Sequence, residues 1–154
     1  MSKAVNKLSF REAQQDDLPT IAGLLSDDAL GAKRDGMHLL PRYAIALEAV
    51  KAQIGNSVIV AVLDNEIAGV MQLTLIPGLS RGGMLRAQIE SVRVSSQHRG
   101  QGIGQQLLEH GINQARKAGC GLVQLTSDKQ RSEALHFYEA LGFKASHEGL
   151  KLAL

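Results

Sequence analysis

From Val92 to Leu108 the chain reads as a β-branched strand, a turn with three glycines at 100, 102 and 104, and an amphipathic helix that starts among those glycines. No other stretch limits fold and chemistry so tightly. A helix N-terminus leaves backbone N–H groups without intrahelical acceptors and carries about half a positive elementary charge. Glycines at its start let an oxyanion reach those groups with no Cβ in the way. Arg99 adds a planar, permanently charged fork at the same point. The segment therefore predicts a cradle for a pyrophosphate.

Spacing narrows the ligand. A P-loop places Lys and Ser/Thr beside its second conserved glycine, and a Rossmann turn places a third glycine; counting on from Gly100, both patterns fail at Gln105. What remains is Arg99-x-x-Gly102-x-Gly104. Further along stands Ala134-x-x-Phe137-Tyr138-x-x-Leu141-Gly142-Phe143. Ala134, Phe137, Tyr138 and Leu141 are spaced to share one helix face, Gly142 suits an αL cap, and Phe143 opens a strand. The two motifs, in this order and with a strand between them, resemble the GCN5-related N-acetyltransferase (GNAT) family, and the resemblance spans essentially the whole chain.

That resemblance implies an α/β acyl-CoA N-acyltransferase fold, with a central, mostly antiparallel mixed sheet that splays open and is covered by about four helices. It implies acetyl-CoA as cosubstrate and direct transfer to an amine, with no metal and no covalent acyl-enzyme. The pyrophosphate would rest on Arg99, Gly100, Gln101, Gly102, Ile103, Gly104 and Gln105. The pantetheine arm would pair with the strand edge at Val92, Arg93 and Val94. Tyr138 would protonate the leaving thiolate, since a phenol's pKa of about 10 nearly matches a thiol's. Glu90 would take the proton of the amine, being expected half-buried, on the opposite face from Ile89 and Ser91. The Val92 N–H would polarise the thioester carbonyl. Relatives carry an asparagine where this chain has Arg131; Arg131 or Lys129 then meets a cofactor phosphate or forms a solvated helix start. The alternative for Tyr138 is a core tyrosine with a wet hydroxyl, and for Glu90 a surface partner of Arg93 or Arg86.

Composition closes other classes. The 154 residues, 44% hydrophobic and 21% charged, fit one soluble domain over 1–154. A net charge of +2 without a basic patch argues against nucleic acid. No apolar run suits a membrane span, and the stretch Met1–Arg11 lacks the core of a signal peptide. The single cysteine, Cys120, forbids an internal disulfide and points to a reducing compartment, the cytoplasm. The five histidines have no metal-ligand spacing with one another or with Cys120.

Pattern predicts the order β-α-α-β-β-β-α-β-α-β. A first strand is expected over roughly 7–13, then a helix capped by Asp16 or Asp17 with the stripe Leu18, Ile21, Ala22, Leu25. The stretch from Ser26 to Leu40 reads as a loop. Pro41 opens a second helix with the stripe Tyr43, Leu47, Val50, Ile54. Ser57–Leu63 and Ile67–Ile76 form a hairpin across Asp64-Asn65-Glu66, and Leu79–Met84 reads as a mobile loop. Leu85–Ser95 leads into the glycine turn, and Gly119 ends the helix that follows it. Leu122–Thr126 is a buried strand, and alternation predicts a last strand over Phe143–Leu154.

The acceptor, a small-molecule or peptide amine, would meet the segments Asp27–Arg42 and Leu79–Met84, whose charges are mixed. A homodimer is common among relatives, and Leu150-Lys151-Leu152-Ala153-Leu154 suits either an interface or the chain's own sheet. Two rivals stand beside the transferase: a non-catalytic acyl-CoA sensor on the same fold, and an ATP-binding module using Gly100–Gly104.

Overall fold

The computed structural model describes residues 7–154; of the Met1–Arg11 stretch read for a leader, residues 1–6 lie outside it. The described residues fall into two compact units, one ending at Gln124 and the other Leu125–Leu154.

The first unit is built on a five-stranded sheet in the order β1-β2-β3-β4-β5. Its elements are β1 (Leu8–Glu12), α1 (Leu18–Leu25), α2 (Ala29–Ala32), α3 (Leu40–Ala52), β2 (Asn56–Leu63), β3 (Glu66–Ile76), α4 (Ser80–Gly83), β4 (Arg86–Val94), α5 (Ile103–Lys117) and β5 (Leu122–Gln124). The first four strands are antiparallel neighbours and β5 runs parallel to β4. Asp64 and Asn65, at φ 50° and 64°, close the expected β2–β3 hairpin in a turn that takes two left-handed residues.

The two faces of the sheet are covered differently. On one face lies α5, brought close by Gly111. A Cβ there would come within 2.6 Å of Met71 Cε and 3.3 Å of Ile89 Cδ1, and both those side chains are fully buried. On the other face Leu18, Ile21 and Leu24 of α1 and Leu47 of α3 form one core with Val60 and Val70. At about 25 cal/mol per Å² of apolar surface, these two layers dominate the stability of the unit.

Several boundaries differ from the pattern. Asp17 does not cap α1: its carboxylate takes both Arg11 guanidinium nitrogens, at 2.7 and 2.9 Å, and the Gln14 N–H at 2.7 Å. The Ser26–Leu40 stretch contains the short helix α2, because Asp28 Oδ1 accepts the Gly31 N–H, and a 3-10 turn over Met37–Leu39. Ile54 lies beyond the end of α3 and is fully exposed; Ala44, not Ile54, joins Tyr43 and Leu47 against the core. Leu79–Met84 holds α4, a single turn distorted by left-handed residues at Arg81 and Gly82.

The second unit contains α6 (Ser132–Ala140). Gly142, at φ 97°, ends it as expected, with its N–H on Glu139 O and the Phe143 N–H on Tyr138 O. Ala134, Tyr138 and Leu141 are half-buried, and Phe137, on the same helix face with its ring edge-on to Tyr138, is more exposed than they are. The strand expected over Phe143–Leu154 does not form: these residues have no regular structure, and Leu150, Leu152 and Leu154 are exposed. Alternating sequence makes a strand only against a partner strand, and this unit has none among its described residues.

Candidate functional site

Two features of β4 set the geometry. Its pairing with β5 ends at Gln88↔Gln124, so Ile89–Val94 run on without a registered β5 partner. β5 itself stops at Gln124, the last residue of the first unit. On the other side, Gln72 pairs with Glu90 and Val70 with Arg93. Ser91 and Val92 therefore stand opposite Met71 alone. That is a β-bulge, and within it Ser91 takes a left-handed φ of 56°. A non-glycine residue held there costs on the order of 1–3 kcal/mol, strain that accumulates at functional positions.

The bulge decides where the candidate side chains sit. Ile89 is fully buried beneath α5, and Glu90 lies on the opposite face. Glu90 is exposed rather than half-buried, and among the described residues it makes no ion pair with Arg93 or Arg86. Arg93 is half-buried and folds back to donate from Nη1 to the Val92 carbonyl at 2.9 Å. Val92 and Val94 are half-buried, with Val94 opposite Gly69.

Beyond β4, Ser95 caps a 3-10 turn over Ser96–His98. Gly100 and Gly102 then take φ values of 78° and 75°. A Cβ built at either would meet nothing within 4 Å, so the backbone conformation demands glycine and the space beside it is open. Helix α5 starts at Ile103, after these two glycines, with Gly102 as its N-cap and no side chain capping it. The N–H groups of Ile103, Gly104 and Gln105 therefore have no acceptor from their own helix. Ile103 is buried and anchors the turn, while Gly100, Gln101 and Gln105 are exposed. This local geometry fits an oxyanion ligand such as a pyrophosphate.

Arg99 takes a partner that the sequence did not suggest. Its Nη2 lies 3.4 Å from Asp27 Oδ2, just past the end of α1, with both side chains substantially exposed. Such a pair contributes about 0–1 kcal/mol and exchanges readily for a stronger anion. A cavity of about 590 Å³ lies between α1, the hairpin residues Asn65 to Ile67 and the Ser95–Gln97 turn, with Asp27 on its wall; neither Glu90 nor the glycines at 100 and 102 line it.

The proposed acceptor wall is also ordered. The Tyr43 hydroxyl donates to Asp35 Oδ1 at 2.8 Å and accepts the Gly36 N–H at 3.1 Å, pinning the end of the 27–42 segment to α3. Burial is the main reason the Tyr43 phenol is pushed above its ordinary pKa, and Asp35 raises it further.

In the second unit, Tyr138 is half-buried on α6, with its ring edge-on to Phe137 at 5.2 Å and to Phe143 at 5.9 Å. Arg131 is the N-cap residue of α6, half-buried and without a capping side-chain bond. Lys129 is almost fully exposed and lies 4.0 Å from Glu148. No cluster of three or more metal-ligating side chains exists among the described residues, nor any helix long and apolar enough to cross a membrane. Cys120 is half-buried, and burial raises its thiol pKa.

A model of the acetyltransferase (GNAT) family matches residues 20–143. Glucosamine 6-phosphate N-acetyltransferase of Trypanosoma brucei brucei is 31% identical over 147 residues, 96% of each chain. A solved structure described as a transcriptional regulator from Bacillus halodurans C-125 superposes with a TM-score of 0.91 at 47% identity, covering 96% of this chain and 100% of that one. A putative acetyltransferase from Agrobacterium tumefaciens str. C58 gives 0.84 at 27% identity, covering 95% and 99%.

Proposed function

Because the chain belongs to the GNAT family of acetyl-CoA-dependent acetyltransferases, we propose that it transfers the acetyl group of acetyl-CoA directly to the primary amine of a small molecule, with residues 1–154 acting as one domain in the cytoplasm. The observation that carries this reading is the uncapped start of α5, with open space at Gly100 and Gly102 and a run of β4 leading into it that pairs with β3 but has no registered β5 partner. A pyrophosphate on the Ile103–Gln105 N–H groups would draw Arg99 from Asp27, and the β4 backbone would take the amides of the pantetheine arm.

The chemistry then needs three services. The bulge leaves β4 backbone outside the ladder at Ser91–Val92, and the Val92 N–H is the donor proposed for the thioester oxygen. Glu90 is proposed to take the ammonium proton, directly or through water, from the face opposite α5. Tyr138 is proposed as the acid for the departing thiolate. Arg131 or Lys129 would assist a phosphate of the cofactor. A small-molecule acceptor is favoured over a peptide because the relative matched end to end is named for an amino sugar phosphate. The same name speaks against the non-catalytic sensor.

The test joins binding and turnover. Calorimetric titration should detect coenzyme A and acetyl-CoA but not ATP. Tyr138→Phe should keep that binding while turnover falls about a hundredfold. Absence of coenzyme A binding overturns the reading; unchanged turnover in Tyr138→Phe removes Tyr138 from it.

A further inference from the structure

On the face of the sheet opposite α5, the apolar layer under α1 and α3 reaches Val58 on β2 and Val70 on β3 and stops there. Beyond it the face turns polar in register. Asn56, Thr74, Gln88 and Gln124 stand side by side across four strands. The neighbouring row places Gln72 beside Glu90. These side chains are bonded to one another: Gln72 Nε2 and Thr74 Oγ1 both donate to Asn56 Oδ1, at 3.0 and 3.1 Å, and Gln124 Nε2 donates to Gln88 Oε1 at 3.0 Å. Arg86, two residues before Gln88 on the same face, donates to Gln124 Oε1 at 3.4 Å and has no carboxylate partner among the described residues.

All of these groups except Glu90 are half-buried, and Glu90 is exposed. A side-chain amide both donates and accepts, so Gln72 Oε1 and Gln88 Nε2 keep capacity that their neighbours do not use. Such a surface suits hydroxyl or carbonyl groups and gains little from an alkyl chain. Its charges are one carboxylate and one guanidinium, four residues apart on one strand, or about 13 Å between α-carbons. A second ammonium on the ligand would meet Arg86, not another acid.

We propose that this strip selects the acceptor: a hydroxylated amine with its nitrogen at Glu90, its hydroxyls on Gln72, Gln88 and Gln124, and an oxyanion substituent on Arg86. The proposal rests on the N-acetyl transfer reading and extends it to a substrate class.

The experiment compares glucosamine 6-phosphate, glucosamine, n-hexylamine and spermidine, by thiol release and by direct titration against the protein saturated with coenzyme A. Glucosamine 6-phosphate should have the highest kcat/KM. Arg86→Gln should cut its preference over glucosamine about tenfold, in both kcat/KM and affinity, with Arg86→Lys losing less. Gln124→Leu should weaken both sugars relative to hexylamine, which keeps the test standing should Arg86→Gln fold poorly. Spermidine or hexylamine turning over as well as the sugars, or a phosphate preference that survives Arg86→Gln, overturns the inference while leaving acetyl transfer intact. Arg86-dependent binding of glucosamine 6-phosphate without any thiol release would instead sustain the strip as a binding site and sink the transfer reading.

Discussion

Replacing Gly102 by alanine isolates backbone conformation from packing. The residue sits at φ 75° as the N-cap of α5, and an added Cβ would touch nothing within 4 Å. No steric clash therefore enters, and the cost is that of holding an L-residue left-handed, about 1–2 kcal/mol. Against it stands the lower entropy of an unfolded chain with alanine in place of glycine, about 0.4–1 kcal/mol. The first effect wins by about 1 kcal/mol, which for a chain of this size lowers Tm by about 2–4 °C. Urea unfolding followed by circular dichroism should show a lower midpoint at unchanged slope. A companion, Gly102→Asn, separates stability from binding. Asparagine visits the left-handed region readily, so its stability should stay within about 0.5 kcal/mol of the parent. Its side chain would nevertheless occupy the space an oxyanion needs, and coenzyme A affinity should fall. A Gly102→Ala protein as stable as the parent would refute the conformational argument; a Gly102→Asn protein that binds normally would refute the cradle.

The remaining predictions concern acid. His110 stacks on Phe10 with 4.4 Å between ring centroids, and burial, then the Lys117 charge, holds its pKa below the ordinary value. Its contribution is intact above an unfolded pKa of about 6.5 and is lost as pH falls through that value toward the lower folded one, so stability should drop as the solution is acidified below about pH 7. His110→Gln should flatten that slope in urea titrations; an unaltered slope would remove His110 as its source. Asp17 is held below the usual carboxylate range mainly by its hydrogen bonds from Arg11. Asp17→Asn should cost about 1 kcal/mol at neutral pH, after allowance for solvent around Arg11. The difference should vanish as pH falls below about 3.9 and through the folded value, since the parent then loses the same charge. A gap between the two proteins that persists in acid would contradict this.

What could be read from the chain, and what could not, follows from the range of the interactions. The hairpin at Asp64-Asn65, the αL caps at Gly119 and Gly142, and the strand-to-helix glycine turn are local, so neighbouring residues suffice to specify them. The true ends of α3 and the partners of Asp17 depend on other elements, so their local signals misled. The extra residue at Ser91–Val92 is invisible to alternation, because serine carries no preference that announces a left-handed φ. The pairing of Arg99 with Asp27 spans 72 residues, and nothing in either neighbourhood hints at it. The polar strip is a third kind of case. Each glutamine looks like an ordinary strand residue, and only the register across β2 to β5 lines them up.

The irregularity in β4 resets the phase of the strand. In a regular strand Glu90 and Arg93, three positions apart, would point to opposite sides; here both align with Gln72 and Val70 on one side. The strand thus behaves as two short rulers joined out of step. The segment before the joint keeps time with β5, and the one after it with the β2–β3 hairpin alone. Substitutions on the first ruler, where the acceptor strip is proposed, can accumulate without disturbing the backbone proposed for the coenzyme on the second. Deleting a single residue at the joint would merge the two rulers into one regular strand, leave every flanking side chain on its present side, and return to the ladder the backbone that the extra residue holds out of it.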